Sequence, residues 1–212
     1  ARPARPRRLT RPRYRRSYRR KGWAVNAFEF VITLYSFVYA LGVAQILATV
    51  GDMLRTGDRL RFSWLNAGWM LNVLLAIVAW WLSLWDRGTE TSWPMSTVLV
   101  FFSVACLLYL ISRLVSAPIS QDGPVDLQLY HRQEGRKYAG LFAVNTAVTI
   151  ATVYLYGAES QNWVASNFAS WPTLAASIAA AIFVNRWVQT AALATILVMW
   201  GWYYATLQSA LI

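Results

Sequence analysis

Long apolar stretches separated by short polar segments make up most of this chain. The first four stretches cover about residues 27–50, 63–85, 94–115 and 138–157. A bilayer core about 30 Å thick needs roughly 20 mainly apolar residues to be crossed by a helix, so each stretch has the length of one transmembrane helix. The pattern therefore predicts one membrane span in each of the four.

The last apolar block, residues 171–212, is too long for a single span. Three polar residues interrupt it, namely Asn185, Arg186 and Gln189. We interpret the block as two helices, about 168–185 and 190–210, joined by a tight polar turn. The predicted fold is thus an all-α polytopic transmembrane helical bundle of six helices, with five as the alternative if the segment before Asn185 does not cross.

Composition supports this interpretation and locates the charge. Hydrophobic residues make up 57% of the 212 residues and charged residues only 14%, against roughly 25% charged in ordinary soluble domains. The formal net charge of +11 lies within residues 1–21, which hold ten Arg, one Lys and no acid, because residues 22–212 hold nine basic and nine acidic side chains. The basic character therefore belongs to a tail, residues 1–25, and not to the single transmembrane domain of residues 26–212.

The Arg- and Pro-rich tail is predicted to be disordered or not native to the working protein. Pro3, Pro6 and Pro12 oppose a long amphipathic helix, and the stretch from Arg2 to Lys21 lacks the apolar core of a secretory signal. Beside a transmembrane helix, attraction to anionic lipid headgroups is a simpler account of the arginines than contacts with nucleic-acid phosphates. We therefore expect the lipid bilayer as the tail's partner and no nucleic acid.

Positive charge in the loops indicates an orientation. The loops after the first, third and fifth helices carry eight basic residues, whereas the loops after the second and fourth carry only Arg87. The eight are Arg55, Arg59, Arg61, Arg113, Arg132, Arg136, Lys137 and Arg186. Because Lys and Arg in short loops stay in the cytoplasm, we favour an orientation with the odd-numbered loops inside. The tail next to the first helix demands the opposite, so its charge and the loop charges conflict over the absolute orientation.

Ionisable residues are missing from the middle of every predicted span. Because such residues mark proton relays, voltage sensors and ion pathways, their absence argues against those functions. A retinal pigment is excluded because the two lysines, Lys21 and Lys137, lie outside the spans. The deep polar residues include three neutral amides, Gln45, Asn72 and Asn145. They are predicted either to hydrogen-bond between helices or to line a path for a small neutral solute.

Small residues recur every four positions on the fourth and fifth helices. These residues are Ala139, Ala143, Ala147 and Ala151 on the fourth helix, and the pairs Ala175/Ala179, Ala176/Ala180 and Ser177/Ala181 on the fifth. Small side chains let helix backbones approach closely in lipid. The pattern therefore predicts that the fourth and fifth helices pack on each other through these alanines.

The longest predicted loop, about residues 116–137, holds the densest polar chemistry, including Asp122, Asp126, His131 and Glu134. We interpret these residues as solvated surface rather than as a metal site, since no second His or Cys joins them. The single Cys of the chain forms no intramolecular disulfide, and the sequence shows no phosphate loop or activated nucleophile. We therefore predict no metal, no cofactor and no enzyme activity.

Three segments carry a resemblance to known proteins: FEFVITLYSFVYALGVAQIL at the start of the domain, the Trp-rich second helix, and DLQLYHRQEGRKY before the fourth. Across residues 26–212 the chain resembles uncharacterised small polytopic bacterial inner-membrane proteins. The resemblance implies a multi-helix bundle in the bacterial inner (cytoplasmic) membrane and supplies no functional residues. The predicted function is a non-enzymatic binding, scaffold or accessory subunit that assembles with other membrane subunits or with itself. The alternative is a channel or facilitator for a small neutral solute.

Overall fold

The computed structural model describes residues 27–84, 94–119, 124–156 and 167–211. Within these ranges the chain forms six α-helices, which confirms the predicted all-α helical bundle. The helices are α1 (Ala27–Thr56), α2 (Trp64–Ser83), α3 (Met95–Val115), α4 (Leu127–Tyr156), α5 (Ser170–Ile182) and α6 (Arg186–Leu211). The predicted tail, Arg87 and Asp122 lie outside the described residues.

Helix length and composition make this a membrane protein. Four helices, α1 to α4, are long and apolar enough to cross a membrane. Helix α5 has 13 residues and is therefore about 20 Å long, shorter than the roughly 30 Å hydrocarbon core. It is shorter than the predicted span of residues 168–185 because the chain leaves the helix after Ile182 and turns into α6. Asn185 lies just before α6, and its side-chain oxygen accepts from the backbone N–H of Trp187 (2.9 Å).

Helix α4 begins much earlier than predicted. The sequence pattern placed its start near residue 138, whereas the helix runs for 30 residues from Leu127. The carboxylate of Asp126 accepts from the backbone N–H groups of Gln128 (2.8 Å) and Leu129 (2.9 Å), so it caps the first turn. About half of the predicted loop 116–137 is therefore the polar first part of α4.

Side-chain hydrogen bonds show how α2, α3 and α4 run. Asn66 near the start of α2 donates to the carbonyl of Val115 at the end of α3 (3.0 Å). Tyr130 near the start of α4 donates to the carbonyl of Leu114 in the same turn of α3 (2.7 Å). Helices α2 and α4 therefore begin at the end of the bundle where α3 ends.

Helix α6 runs in the same direction as α2 and packs closely against it. The indole of Trp200 donates to the side-chain oxygen of Asn72 (2.7 Å). Four residues further along α6, the hydroxyl of Tyr204 donates to the carbonyl of Leu75 (2.8 Å). Because both contacts advance together along the two helices, α2 and α6 are parallel.

A short parallel strand pair aligns the starts of α2 and α4. Strand β1 (Leu60–Arg61) pairs with β2 (Val125–Asp126) just before the two helices begin. The guanidinium of Arg61 lies 3.1 Å from the carboxylate of Asp126, so an ion pair reinforces the same register. Deeper in the bundle, the buried ring of Trp69, the sixth residue of α2, packs on the rings of Tyr138 and Phe142, the twelfth and sixteenth residues of α4, with centroid distances of 5.5 and 5.9 Å.

Helices α4 and α5 pack against each other in opposite directions. Arg136 near the start of α4 donates to the carbonyl of Ala181 at the end of α5 (2.9 Å). One turn further, a Cβ at Gly140 would lie 3.7 Å from the Cβ of Ala181, so the two backbones approach closely there. A glycine and an alanine thus form this contact.

The alanines predicted to form the packing face are divided between buried and exposed positions. On α4, Ala139 and Ala143 are buried, whereas Ala147 and Ala151 are exposed. On α5, Ala175 is exposed and Ala179 half-buried, and the buried residues of this helix are Thr173, Ser177 and Ala180. The buried side of α5 therefore includes Ser177 and Ala180, one member of each of two further predicted pairs, whereas Ala175 lies on the exposed side.

We expect Gly68→Ala to destabilise the bundle at the contact between α2 and α6. A Cβ at Gly68 would overlap Cδ2 of Leu193 and lie 3.3 Å from its Cγ, and Leu193 is itself buried. Overpacking of this kind costs typically about 1–3 kcal/mol. Thermal unfolding in detergent measures the loss, and Gly201→Ala is the matched control because nothing lies within 4 Å of its Cβ position. Equal melting temperatures for the two variants would contradict the close packing of α2 and α6.

Candidate binding cavity at the basic end of the bundle

The basic residues of the odd-numbered connections gather at one end of the bundle. Helices α2, α4 and α6 begin there, and α3 and α5 end there. The basic residues at this end are Arg55, Arg59, Arg61, Arg113, Arg132, Arg136, Lys137 and Arg186. We call it the basic end.

A cavity of about 100 Å³ lies at the basic end, between the first turns of α2, α4 and α6. Three arginines line it, Arg132, Arg136 and Arg186. Its neutral polar lining consists of Ser63, Gln128, His131 and Gln189, and its apolar lining of Trp64, Leu65 and Val184. Its lining thus contains three cationic side chains and no carboxylate. We call it the arginine cavity.

Two of the lining arginines are free of acidic partners among the described residues. Neither Arg132 nor Arg186 has a carboxylate within ion-pair distance there. The nearest acid in sequence to Arg132, Glu134, instead pairs with Lys137 at 2.8 Å. The third, Arg136, uses its Nε to bond the carbonyl of Ala181. Within the part of the chain that the structure describes, no carboxylate therefore neutralises the charge of Arg132 and Arg186.

His131 is a fixed, buried part of the cavity wall. Its Nδ1 shares a hydrogen bond with the hydroxyl of Tyr138, and its residue is only 7% exposed. The ring lies close over the backbone of Gly135, where a Cβ would be 3.1 Å from Cε1 of the imidazole. The interpretation of His131 as solvated surface is therefore wrong, because α4 carries it into the bundle. Among the described residues, no group of three potential metal ligands forms around it.

The amide of Gln189 has an orientation that its neighbours determine. Its Nε2 donates to the carbonyls of Ala180 (2.6 Å) and Phe183 (2.8 Å). These carbonyls lack an intrahelical donor because α5 ends there. The Oε1 therefore faces away from those carbonyls, and it is buried without a hydrogen-bond partner among the described residues. A buried acceptor without a donor is costly, so this oxygen is an unmet polar group beside the cavity wall.

Asp126 holds the first turn of α4, and with it the cavity residues Gln128 and His131. The backbone N–H of Leu129 and the guanidinium of Arg61 together hold the pKa of Asp126 below its usual value. The carboxylate therefore stays ionised at neutral pH, and both its capping bonds and its ion pair are present.

The three deep amides predicted from the sequence lie in separate surroundings. Gln45 on α1 accepts from the guanidinium of Arg113, and Asn72 on α2 accepts from Trp200. Asn145 on α4 is buried with its Oδ1 unpartnered among the described residues. None of the three lines the arginine cavity.

The sequence pattern indicated the three cavity arginines only as loop charges. A helical start at Leu127 would have revealed them, because Gln128, Arg132 and Arg136 recur every four residues and share one helix face. Their meeting with Arg186 and Gln189 depends on the packing of α6, which no local pattern encodes.

We expect Asp126→Ala to loosen the first turn of α4, whereas Asp126→Asn keeps it formed. Alanine removes both the cap and the ion pair, but asparagine retains an oxygen that can accept from the backbone N–H groups of Gln128 and Leu129. Hydrogen–deuterium exchange of residues 127–131 in the detergent-solubilised protein measures the difference. Equal protection in both variants would contradict the capping role of Asp126.

Comparison with protein-family models, curated proteins and solved structures finds no match to this chain. The fold and the cavity are therefore interpreted from the chain's own residues. Among the described residues, the arginine cavity combines unneutralised charge, a fixed imidazole and an unpartnered amide oxygen in one place.

Proposed function

We propose that the chain is a multi-pass protein of the bacterial inner membrane with a non-enzymatic binding function, and that its ligand is an anion held in the arginine cavity. The observation that carries this proposal is the lining of Arg132, Arg136 and Arg186 without a carboxylate. A guanidinium remains charged at any physiological pH. An anion in the cavity would relieve the repulsion among the three arginines and form charge-assisted hydrogen bonds with them.

The chemistry of the lining favours binding over catalysis. The hydroxyl of Ser63 accepts from the backbone N–H of Asn66 as the cap of α2 (3.4 Å). The Nδ1 of His131 is engaged by Tyr138. Both side chains thus have structural tasks, whereas the arginines present donors in the planar arrangement that suits carboxylates and phosphates.

Apolar side chains on the outer face of α1 support a lipid environment. Phe30, Phe37, Leu41 and Leu54 are all more than half exposed. Soluble monomers rarely expose large contiguous apolar patches, because water penalises such surface. Lipid tails are the partner that this face favours, and contacts with other membrane subunits or with a second copy remain a prediction.

The channel alternative also remains a prediction. Gln45, Asn72 and Asn145 lie on three different helices, and two of them already accept hydrogen bonds from Arg113 and Trp200. The geometry therefore gives the binding function more support than the neutral-solute path.

We expect the basic end to face the cytoplasm. In a background without Cys106, Thr89→Cys introduces a thiol before α3 in the sequence and Leu129→Cys introduces one after it. A membrane-impermeant maleimide should label Thr89→Cys in whole cells and Leu129→Cys only after the membrane is opened, because the basic loops stay inside. The opposite result would reverse the orientation, and labelling of both from one side would contradict a span at α3.

We expect anions to stabilise the protein through Arg132 and Arg186. Inorganic phosphate should raise the melting temperature of the detergent-solubilised chain, because a ligand that binds only the folded state stabilises it. Loss of a charge-assisted hydrogen bond costs about 1.5–3 kcal/mol, so Arg132→Gln and Arg186→Gln should need at least about tenfold more phosphate for the same shift.

The control variant is Arg55→Gln, which removes the same charge at the same end of the bundle. Arg55 is highly exposed, pairs with Asp52 on its own helix and does not line the cavity. Its phosphate response should match that of the unmodified chain. A response equally weakened in all three variants would indicate general charge attraction and contradict a site at the cavity.

A further inference from the structure

The turn between α5 and α6, at the edge of the arginine cavity, exposes apolar side chains. Ile182, Phe183 and Val184 are consecutive and each is more than half exposed, and Val184 also lines the cavity. Trp187, the second residue of α6, is 79% exposed. Water penalises a contiguous apolar surface of this kind. The outside of the cavity at this turn therefore favours lipid as its neighbour.

The length of α2 gives the depth of the cavity in a bilayer. The helix has 20 residues and is therefore about 30 Å long, which matches the thickness of the hydrocarbon core. Its first residue, Trp64, lines the cavity and is 46% exposed. A tryptophan at the end of an apolar helix is typical of the headgroup level. When α2 crosses the core, the cavity thus lies at the level of the lipid phosphates.

The charges of the lining distinguish between classes of lipid. Arg132, Arg136 and Arg186 line the cavity, and no carboxylate is among its lining residues. The phosphate of any phospholipid can accept hydrogen bonds from guanidinium groups. A zwitterionic lipid also carries a cationic group, which the arginines would repel and for which the lining supplies no counter-charge. The lining therefore favours an anionic phospholipid without a cationic group, consistent with the lipid preference of basic pockets between membrane helices.

We propose that the arginine cavity binds the phosphate of an anionic phospholipid, with the phosphate between Arg132 and Arg186 and the acyl chains passing outward beside Trp64 and Val184. This inference rests on the proposed function, since it names the anion that the cavity takes. A soluble phosphodiester has the same charge but no acyl chains, and the experiment separates it from the lipid.

The experiment compares three ligands that share parts of one structure. They are phosphatidylglycerol, phosphatidylcholine with the same acyl chains, and glycerophosphoglycerol, which is the deacylated headgroup. Native mass spectrometry of the full chain in a neutral detergent gives the occupancy and apparent affinity of each. We expect one phosphatidylglycerol per chain, bound about fivefold or more tightly than phosphatidylcholine. Glycerophosphoglycerol should not occupy the chain at the same concentration, because only a ligand with acyl chains is concentrated in the micelle.

Protein variants show whether the lipid occupies the cavity. Arg132→Gln and Arg186→Gln each remove a charge-assisted hydrogen bond, so each should weaken phosphatidylglycerol binding by at least about tenfold. Both arginines are exposed and neither pairs with a carboxylate among the described residues, so we expect both variants to fold. Arg55→Gln is the matched control and should leave the affinity unchanged, because Arg55 does not line the cavity.

The outcomes separate this inference from the proposed function. Phosphatidylglycerol binding that is independent of Arg132 and Arg186, or equally weakened by Arg55→Gln, would overturn the inference. Equal affinities for phosphatidylglycerol and phosphatidylcholine would also overturn it, because the cavity would then bind the phosphate without regard to the net charge of the lipid.

A free anion gives a different result. Binding of glycerophosphoglycerol or inorganic phosphate through Arg132 and Arg186, with no such dependence for the lipid, would overturn this inference and leave anion binding intact. If no ligand depends on these two arginines, inorganic phosphate included, both proposals are wrong.

Discussion

The alignment of α2 with α4 is the constraint on which the basic end depends. The strand pair of Leu60–Arg61 with Val125–Asp126 joins the chain just before both helices begin, and deeper in the bundle the ring of Trp69 on α2 packs on that of Tyr138 on α4. The connection between α1 and α2 and the connection between α3 and α4 are thereby joined outside the apolar part of the bundle. Without this alignment, the arginines of α4 would not face the first turn of α2, and the cavity would lose one of its three walls.

Hydrogen bonds at the helix ends occupy polar side chains around the cavity. The carbonyls at the end of α5 take their donors from Gln189 and Arg136, and the start of α4 takes its acceptor from Asp126. Neighbouring side chains thus supply the hydrogen-bond partners that backbone groups at helix ends lack. Two acids near the basic end are paired with other cations, Asp126 with Arg61 and Glu134 with Lys137. Arg132 and Arg186 therefore lack counter-charges among the described residues.

Much of the fold follows from apolar length, and the differences have physical causes. The ends of α2 and α3 were predicted to within about two residues. A stretch of roughly 20 apolar residues has the length of one transmembrane helix, so the apolar pattern defines both ends. The start of α4 was missed because its first residues are charged, and only the cap at Asp126 marks the helix. Alanine spacing defined candidate faces on α4 and α5, but a period of four does not say which face a neighbour covers. The cavity was unpredictable for a similar reason, since its walls come from three separate parts of the sequence.

The contacts between α2 and α6 have a consequence for synthesis of the protein. Trp200 follows its partner Asn72 by 128 residues, and Tyr204 follows Leu75 by 129. At about 5–20 residues per second, a ribosome needs roughly 6–26 s to add that length of chain. During this interval the nascent bundle holds the amide of Asn72 without its indole donor. Helix α6 thus supplies the donor to a polar group of α2 long after α2 itself has been synthesised.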